Sequence, residues 1–402
     1  MADQLSYITM PKGFLAAGVH CGMKKDGKPD LAFIVSECTS SAAGVYTRNI
    51  VQGHSLKRTR RLISEFGHCR GILINSVSAN ACIGPQGDTD ADTVAAEAAR
   101  VINVLPEEIL TCSTGVIGKP LQVDKITRGI AGFRNLLSSS EEAAHSAMRA
   151  IMTTDLVPKE ASAVLEIDGS TVTISGMAKG SGMIHPDLAT LIGVITTDAE
   201  IDPSCLDALL RDAVKYTFNR VSVDGDTSVC DSIIMMANGV SGKRIVAGTS
   251  AYKLFAAALQ KVAGDLSQMI AADGEGATKL IEVKVNGAPT EEDALLIVRS
   301  ICRSPLCKTA IFGQDANWGR IINAAGYSGA RFDPNRTDIF FGPLQVCKDG
   351  CAVDFDEDEA SKILSRDRIV IELALHSGSC SDRMWTCDFS CDYVKINGSY
   401  RS

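Results

Sequence analysis

Residues 180–199 read GSGMIHPDLATLIGVITTDA. A loop of glycine and serine leads to Ala189-Thr190, and an apolar run rich in β-branched residues follows at once. A run of that kind is a buried strand. Strands usually enter from a turn, yet the turn chemistry here lies upstream, at Gly180 and Gly182. Thr190 is therefore either an ordinary strand residue or a nucleophile set at the first position of the strand. Taken alone, the stretch reads more simply as strand entry.

The elements around it set the fold class. Upstream, SAVLEIDGSTVTISGMAKGSG is a hairpin, two alternating strands about Asp168-Gly169. Downstream, DPSCLDALLRDAVKYTF is a helix opened by Asp202 with Pro203 at its first position. LAFIVSE and AAGVYTR read as two strands about a turn-like CTSS. DTDADTVAAEAARVINVL reads as a helix capped by Asp92 or Thr93, with Val94, Ala98, Val101 and Ile102 near one face. SSSEEAAHSAMRAIMTTD is a helix begun at Ser140. RVSVDGDTSVCDSIIMMANG is strand-like, SAYKLFAAALQKVAGDLSQMIAADG a long helix, KLIEVKVNGA a strand and EEDALLIVRSICRS a helix. The final third alternates strands with one helix near DEDEASKIL. Hairpins mixed with helices, without a strict β-α-β repeat, predict an α+β fold: a layered sandwich of mixed sheets covered by helices.

Composition bounds the function. The chain has 402 residues, long enough for two or three domains or one large layered unit. Its net charge of -8 argues against nucleic-acid and anionic-membrane partners. The basic stretch SLKRTRR, residues 55–61, reads as a solvated helix face. No apolar run is long enough to span a membrane, and the N-terminal residues lack a signal-peptide pattern, so a cytoplasmic location is expected. Fourteen cysteines spread along the chain suit reduced, buried thiols. The close pairs Cys302/Cys307, Cys347/Cys351 and Cys387/Cys391 do not add up to a four-ligand zinc site, and no metal is expected.

Several stretches can carry chemistry. A threonine hydroxyl needs a base, and a cut just before Thr190 would free an α-amine on the same residue to serve as one. A small preceding residue, Ala189, suits self-cleavage. CSTGVIG, residues 112–118, ends a strand in Ser-Thr-Gly, where a backbone N–H and a hydroxyl can aim at one point as an oxyanion hole. NSVSANACIG suits a pocket wall or a capped helix entry. DGDTSVCDS holds acids about a glycine but fails calcium-loop spacing. DGEGATKL lacks full phosphate-loop spacing. GQDANWGRI is a structural corner or a substrate-gripping loop.

In this order, STGVIG, AIMTTD…PKE, AKGSGMIHPDLAT, ITTDA, VDGDTS, GEGATKLIEV, DANWGRI and DYVKINGSYRS resemble the ornithine acetyltransferases (glutamate N-acetyltransferases) of arginine biosynthesis. The resemblance spans nearly the whole chain. It implies self-cleavage at Ala189-Thr190 into an α chain, 1–189, and a β chain, 190–402, interleaved in one catalytic unit. It implies an αββα fold shared with related aminopeptidases, and an assembly of two α and two β chains. Thr190 would be the nucleophile, accepting acetyl from N-acetylornithine and passing it to glutamate, with acetyl-CoA as a further donor and no cofactor. Thr114 and Gly115 match the oxyanion pair. Thr153, Lys179, Glu275, Asn397 and Ser402, with Thr190, match substrate-binding positions. Lys179 suits a substrate α-carboxylate and Glu275 the ornithine ammonium. The chain departs from the family pattern at Val77 and Ser78, where Gly-Asn is usual, and at Val229 and Cys230, where a polar pair is usual. A valine for glycine matters if the backbone there needs positive φ. Two other readings remain: an N-terminal-threonine aminopeptidase or amidohydrolase, and a non-catalytic binding protein.

Overall fold

The computed structural model describes residues 5–185 and 191–399. Ala189, Thr190 and Ser402 lie outside the described residues. The chain forms two compact units. Of the described residues, one takes 5–180, 191–219 and 227–266, and the other takes 181–185, 220–226 and 267–399.

The first unit is built on a mixed sheet. Its strands run in the order Ile109–Ser113, His68–Asn75, Leu31–Tyr46, Ser232–Ala237, Ile192–Thr197, Ser170–Lys179 and Glu160–Ile167, with Phe14–Val19 paired to Leu31–Tyr46. Strand alternation explains how it is covered on two faces. Leu31, Phe33, Val35 and Leu73 join one apolar cluster, with Val94 and Ala98 of the helix Gln86–Ile102 and Ile126, Ile130 and Phe133 of Val123–Leu136. Their neighbours Ala32, Ile34, Ile72 and Ile74 join another, with Ala144, Ala147, Met148 and Ile151 of the helix Glu141–Ile151. A period of two sends alternate side chains to opposite faces, so strands buried on both faces are apolar throughout.

The strand Ile192–Thr197 lies in the middle of this sheet. It pairs antiparallel with Ser170–Lys179 and parallel with Ser232–Ala237. Strands from both sides of the Ala189-Thr190 position thus share one sheet.

The second unit holds a sheet in the order Cys351–Ala352, Leu344–Lys348, Asp338–Phe341, Arg368–Ala374, Leu280–Ala288, Cys380–Cys387 and Val221–Ser222. Here one face is apolar: Ile281, Val283, Val285, Ile369, Ile371 and Leu373 pack on Ile297, Val298 and Ile301 of the helix Glu291–Arg303. The opposite face carries charge, with the Glu282 carboxylate 3.0 Å from Arg368 and 3.5 Å from Arg383. Mixed sheets with packed helices are the α+β class expected from the sequence.

The hairpin turns at Asp168 (φ 48°) and Gly169 (φ 77°), both left-handed as a two-residue turn requires. Ser140 caps its helix by accepting the Ala143 N–H at 3.3 Å. Four expectations need correction. Residues 38–41 do not turn; one strand, Leu31–Tyr46, runs through them with a register shift between Val35 and Ser40. A bulge bends the strand and lets it serve different neighbours along its length. The helix expected to open at Asp92 or Thr93 begins at Gln86, without a side-chain cap, and Asp92 instead meets Arg58 at 2.8 Å. The strand-like stretch 220–239 is broken into Val221–Ser222 and Ser232–Ala237 by the DGDTS loop. The final third holds further helices, Pro305–Phe312, Trp318–Gly326 and Cys391–Gly398. The loop DANWGRI is the start of one of them: Asn317 accepts the Arg320 N–H at 3.2 Å, and Trp318 packs on the core. All fourteen cysteines carry free thiols.

Candidate active site

The oxyanion candidates sit where the strand Ile109–Ser113 ends. The chain beyond it stays parallel to residues 75–79: Thr114 N–H donates to Asn75 O at 3.0 Å, Val116 N–H to Val77 O at 3.1 Å, and Ala79 N–H to Val116 O at 3.1 Å. Gly115, between those donors, has φ +129°. A Cβ there would lie 2.1 Å from Val77 O, so only glycine fits this approach. Among the described residues the Gly115 N–H donates to nothing. Thr114 has its N–H engaged, which leaves its hydroxyl. Lys179 Nζ donates to Thr114 Oγ1 at 3.5 Å.

Lys179 is the last residue of its strand and is buried. A buried ammonium needs negative charge beside it. Asp155 supplies it. Asp155 Oδ1 accepts Lys159 Nζ at 2.7 Å and the Gly180 N–H at 2.7 Å, while Oδ2 accepts the Thr153 N–H at 2.9 Å. Burial pushes the Asp155 carboxyl upward, but the charges of Lys179 and Lys159 and these hydrogen bonds outweigh it and hold it well below the usual carboxylate range. Asp231 behaves oppositely. Its burial dominates and raises it well above that range, despite the bond from Leu191 and the charge of Lys179. Asp231 Oδ1 accepts the N–H of Leu191, the residue after Thr190, at 2.9 Å. Its buried Oδ2 has no partner among the described residues.

A second group of residues lies in the other unit. Asn397 Nδ2, on the helix Cys391–Gly398, donates to Glu275 Oε2 at 2.8 Å. Glu275 N–H donates to Ser181 O at 2.8 Å, and Ser181 Oγ donates to Asp273 O at 2.6 Å. A Cβ on Gly182 would come within 2.3 Å of Glu275 Oε2, so the glycine lets the loop lie directly on the carboxylate. Next along the chain, Asp224 accepts the N–H groups of Met183 at 2.5 Å and Ile184 at 2.9 Å.

The structure thus joins Thr114, Lys179, Asp155 and Thr153 in one unit, and Glu275 and Asn397 in the other. A family model described as the ArgJ family matches residues 15–402.

The chain belongs to the ArgJ family.

Relatives support this over their full length. It is 48% identical over 398 residues to a protein named "Arginine biosynthesis bifunctional protein ArgJ" from Symbiobacterium thermophilum, covering 98% of each chain. A protein of the same name from Caldanaerobacter subterraneus subsp. tengcongensis is 45% identical over 404 residues, again covering 98% of each. A crystal structure of arginine biosynthesis bifunctional protein argJ from Bacillus halodurans matches with TM-score 0.50 and 43% identity, over 51% of this chain and 97% of that one.

The departures from the ArgJ pattern are accommodated without backbone strain at Val77, which is absent from the residues with positive φ. Val77 packs against an apolar cluster instead. Ser78 Oγ donates to Lys119 O at 2.7 Å. Val229 and Cys230 form a small buried cluster with Ala79 and Ala81, and Cys230 Sγ donates to Ala79 O at 3.1 Å. The two altered stretches therefore meet at Ala79, Ala81, Val229 and Cys230. Asp155, Lys159, Asp224 and Asp231 were not singled out from the sequence. Asp155, Lys159 and Asp224 lie inside stretches that carried the resemblance, and Asp231 lies just beyond VDGDTS, but their spacing alone does not reveal which carboxylate faces which lysine.

Proposed function

We propose that Thr190 becomes the nucleophile of a ping-pong acetyl transfer when the chain cuts itself between Ala189 and Thr190. The protein is an amino-acid acetyltransferase of arginine biosynthesis, moving acetyl from N-acetylornithine to glutamate. For the cut, the Thr190 hydroxyl attacks the Ala189 carbonyl and the amide becomes an ester. Water hydrolyses the ester, leaving a carboxylate on Ala189 and a free amine on Thr190. That amine, with a pKa of roughly 8, then takes the proton of its own hydroxyl.

The hydroxyl oxygen attacks the acetyl carbonyl of N-acetylornithine. The oxyanion that forms is received by the Gly115 N–H and the Thr114 hydroxyl. Collapse breaks the C–N bond, and the departing ornithine amine takes the proton from the Thr190 ammonium. The glutamate amine attacks the acetyl-threonine ester, N-acetylglutamate leaves, and the hydroxyl regains its proton. Acetyl-CoA loads the same threonine as a second donor, with the thiol as leaving group. In this reading Lys179 binds the substrate α-carboxylate, Glu275 the ornithine ammonium, and Thr153, Asn397 and Ser402 are further substrate-binding residues. No cofactor takes part.

The observation that carries this reading is the strand end at Ser113. An unclaimed Gly115 N–H and a Thr114 hydroxyl held by a buried lysine are the donors an oxyanion needs. The Bacillus halodurans chain, about half as long as this one by its coverage, has the length that such a cut would leave. A cut would also leave one sheet composed of both fragments, so α and β would remain paired, as two of each in a cytoplasmic assembly. Among the described residues no helix is long and apolar enough to cross a membrane.

Intact mass of the purified protein beside Thr190→Ala tests the reading. Two fragments, the second beginning at Thr190, and an uncut variant are expected. After N-acetylornithine is added without glutamate, the second fragment gains one acetyl. An uncut wild type, or a variant that still cleaves, overturns the assignment. Steady consumption of N-acetylornithine without glutamate would instead make the protein a hydrolase.

A further inference from the structure

A cationic cavity lies in the unit that carries Glu275. It has a volume of about 360 Å³, and Arg299, Arg303, Ser304, Pro305, Tyr327 and Ser328 are among its lining residues. Leu296, Arg299, Ser300 and Arg303 fall on one face of the helix Glu291–Arg303, at i, i+3, i+4 and i+7. Two guanidiniums four residues apart repel each other. Among the described residues neither Arg299 nor Arg303 has an ion-pair or hydrogen-bond partner, and Arg299 Nε is buried without one. The helix end accounts for a cation at Arg303, in the last turn. It does not account for a buried, unpaired Nε one turn earlier, which needs an acceptor.

The other groups present are donors too. Ser304 Oγ accepts the Cys307 N–H and Ser328 Oγ accepts the Ala330 N–H, so both hydroxyl protons remain to be given. Ser304 and Pro305 begin the helix Pro305–Phe312, which turns the positive end of its dipole toward the cavity. Leu296, Pro305 and Tyr327 add an apolar wall.

We propose that this cavity binds a phosphate ester whose organic part rests on Leu296, Pro305 and Tyr327. Forked guanidiniums and two hydroxyls suit an oxygen-rich dianion, and the volume exceeds that of a bare carboxylate. The phosphate-bearing end of acetyl-CoA and a free nucleotide share this chemistry. The first source rests on the acetyl-donor reading above. It is favoured by the stem of Arg303, which covers Gly225: a Cβ there would lie 3.1 Å from Arg303 Cγ. The adjacent Asp224 holds Met183 and Ile184, on the segment that leads to Thr190.

The test is calorimetric titration of adenosine 3′,5′-bisphosphate into the wild type, Arg299→Gln and Arg303→Gln. Initial rates with acetyl-CoA and with N-acetylornithine are measured on the same samples. Each substitution is expected to weaken bisphosphate binding about tenfold or more. The KM for acetyl-CoA should rise by a similar factor, and that for N-acetylornithine by less. Arg303 is exposed, so its variant reads the site even if Arg299→Gln folds poorly. No binding by the wild type, or equal binding by wild type and variants, overturns the site. Weakened binding with an unchanged acetyl-CoA KM assigns it to a free nucleotide and overturns the donor source alone. Failure of the N-acetylornithine reaction in the wild type counts against the acetyltransferase mechanism, while the titration still decides the phosphate site.

Discussion

Asp231 Oδ1 accepts the backbone N–H of Leu191 at 2.9 Å, which ties a buried carboxyl group to the residue that follows the proposed nucleophile, Thr190. Its other oxygen is buried and unpartnered among the described residues, and burial holds its pKa well above the usual range. Asp231→Asn keeps an acceptor for Leu191 and removes the titrating group. We expect a folded protein whose self-cleavage and transfer are slowed, read as fragment formation over time and as kcat. The sign for stability follows from the raised pKa. Between the ordinary carboxylate pKa and the raised native value, the native state binds more protons than the unfolded state, so this group makes wild-type stability fall as pH rises through that window. In urea titrations the variant should lack that decline.

Asp155 has the opposite sign. Its native pKa is depressed, so its contribution is present above the unfolded value of about 3.9 and is lost as pH falls toward the native value. Asp155→Asn leaves Lys159 buried without its counter-charge and should cost about 3–5 kcal/mol at pH 7. The gap between wild type and variant in urea denaturation should narrow below about pH 4.

Thr114→Val removes the hydroxyl proposed to receive the oxyanion while keeping the shape. A fall in kcat of about 10²–10³ is expected, with Thr114→Ser retaining most activity. Single-turnover acetylation of Thr190 is the measurement, since it isolates the step in which the oxyanion forms.

Gly182→Ala would press a methyl group into the Glu275 carboxylate. We expect the carboxylate to move from its bond with Asn397 and the KM for N-acetylornithine to rise about tenfold. Gly115→Ala meets backbone at 2.1 Å and a positive φ together, so it should destabilise the fold by about 1–3 kcal/mol and abolish transfer.

Val77→Gly restores the usual family residue, yet it should not improve the protein. Val77 has ordinary φ and packs on an apolar cluster. Loss of that packing and added freedom of the unfolded chain should lower stability by about 1–2 kcal/mol in thermal unfolding. A gain in stability would show that the loop is strained by valine.

Much of the fold was legible because its signals are local. The turn pair Asp168-Gly169, the Asp202-Pro203 helix start and the Ser140 cap each depend on a few adjacent residues. What went unread was longer in range. The bend at residues 38–41 looks like a turn because its residues are small and polar. Only the neighbouring strands, which take up the backbone donors on both sides of the bulge, keep it in the sheet. The helix Gln86–Ile102 starts early because its first turns pack against Arg58 and His54, contacts that no local cap announces.

The sequence by itself determined the α+β class and the family resemblance, and it put forward Thr190, Thr114, Gly115, Lys179 and Glu275 as site residues, because all of these rest on residue type and order. Only tertiary structure decided that Asp155 and Asp231, both acids close to one lysine, are pushed to opposite ends of the carboxylate range. Asp155 gathers a second ammonium, Lys159, beside its hydrogen-bond donors, whereas Asp231 is buried deeper and has the charge of Lys179 alone. The energy of a buried charge depends on what surrounds it in space, and separation along the chain does not specify that.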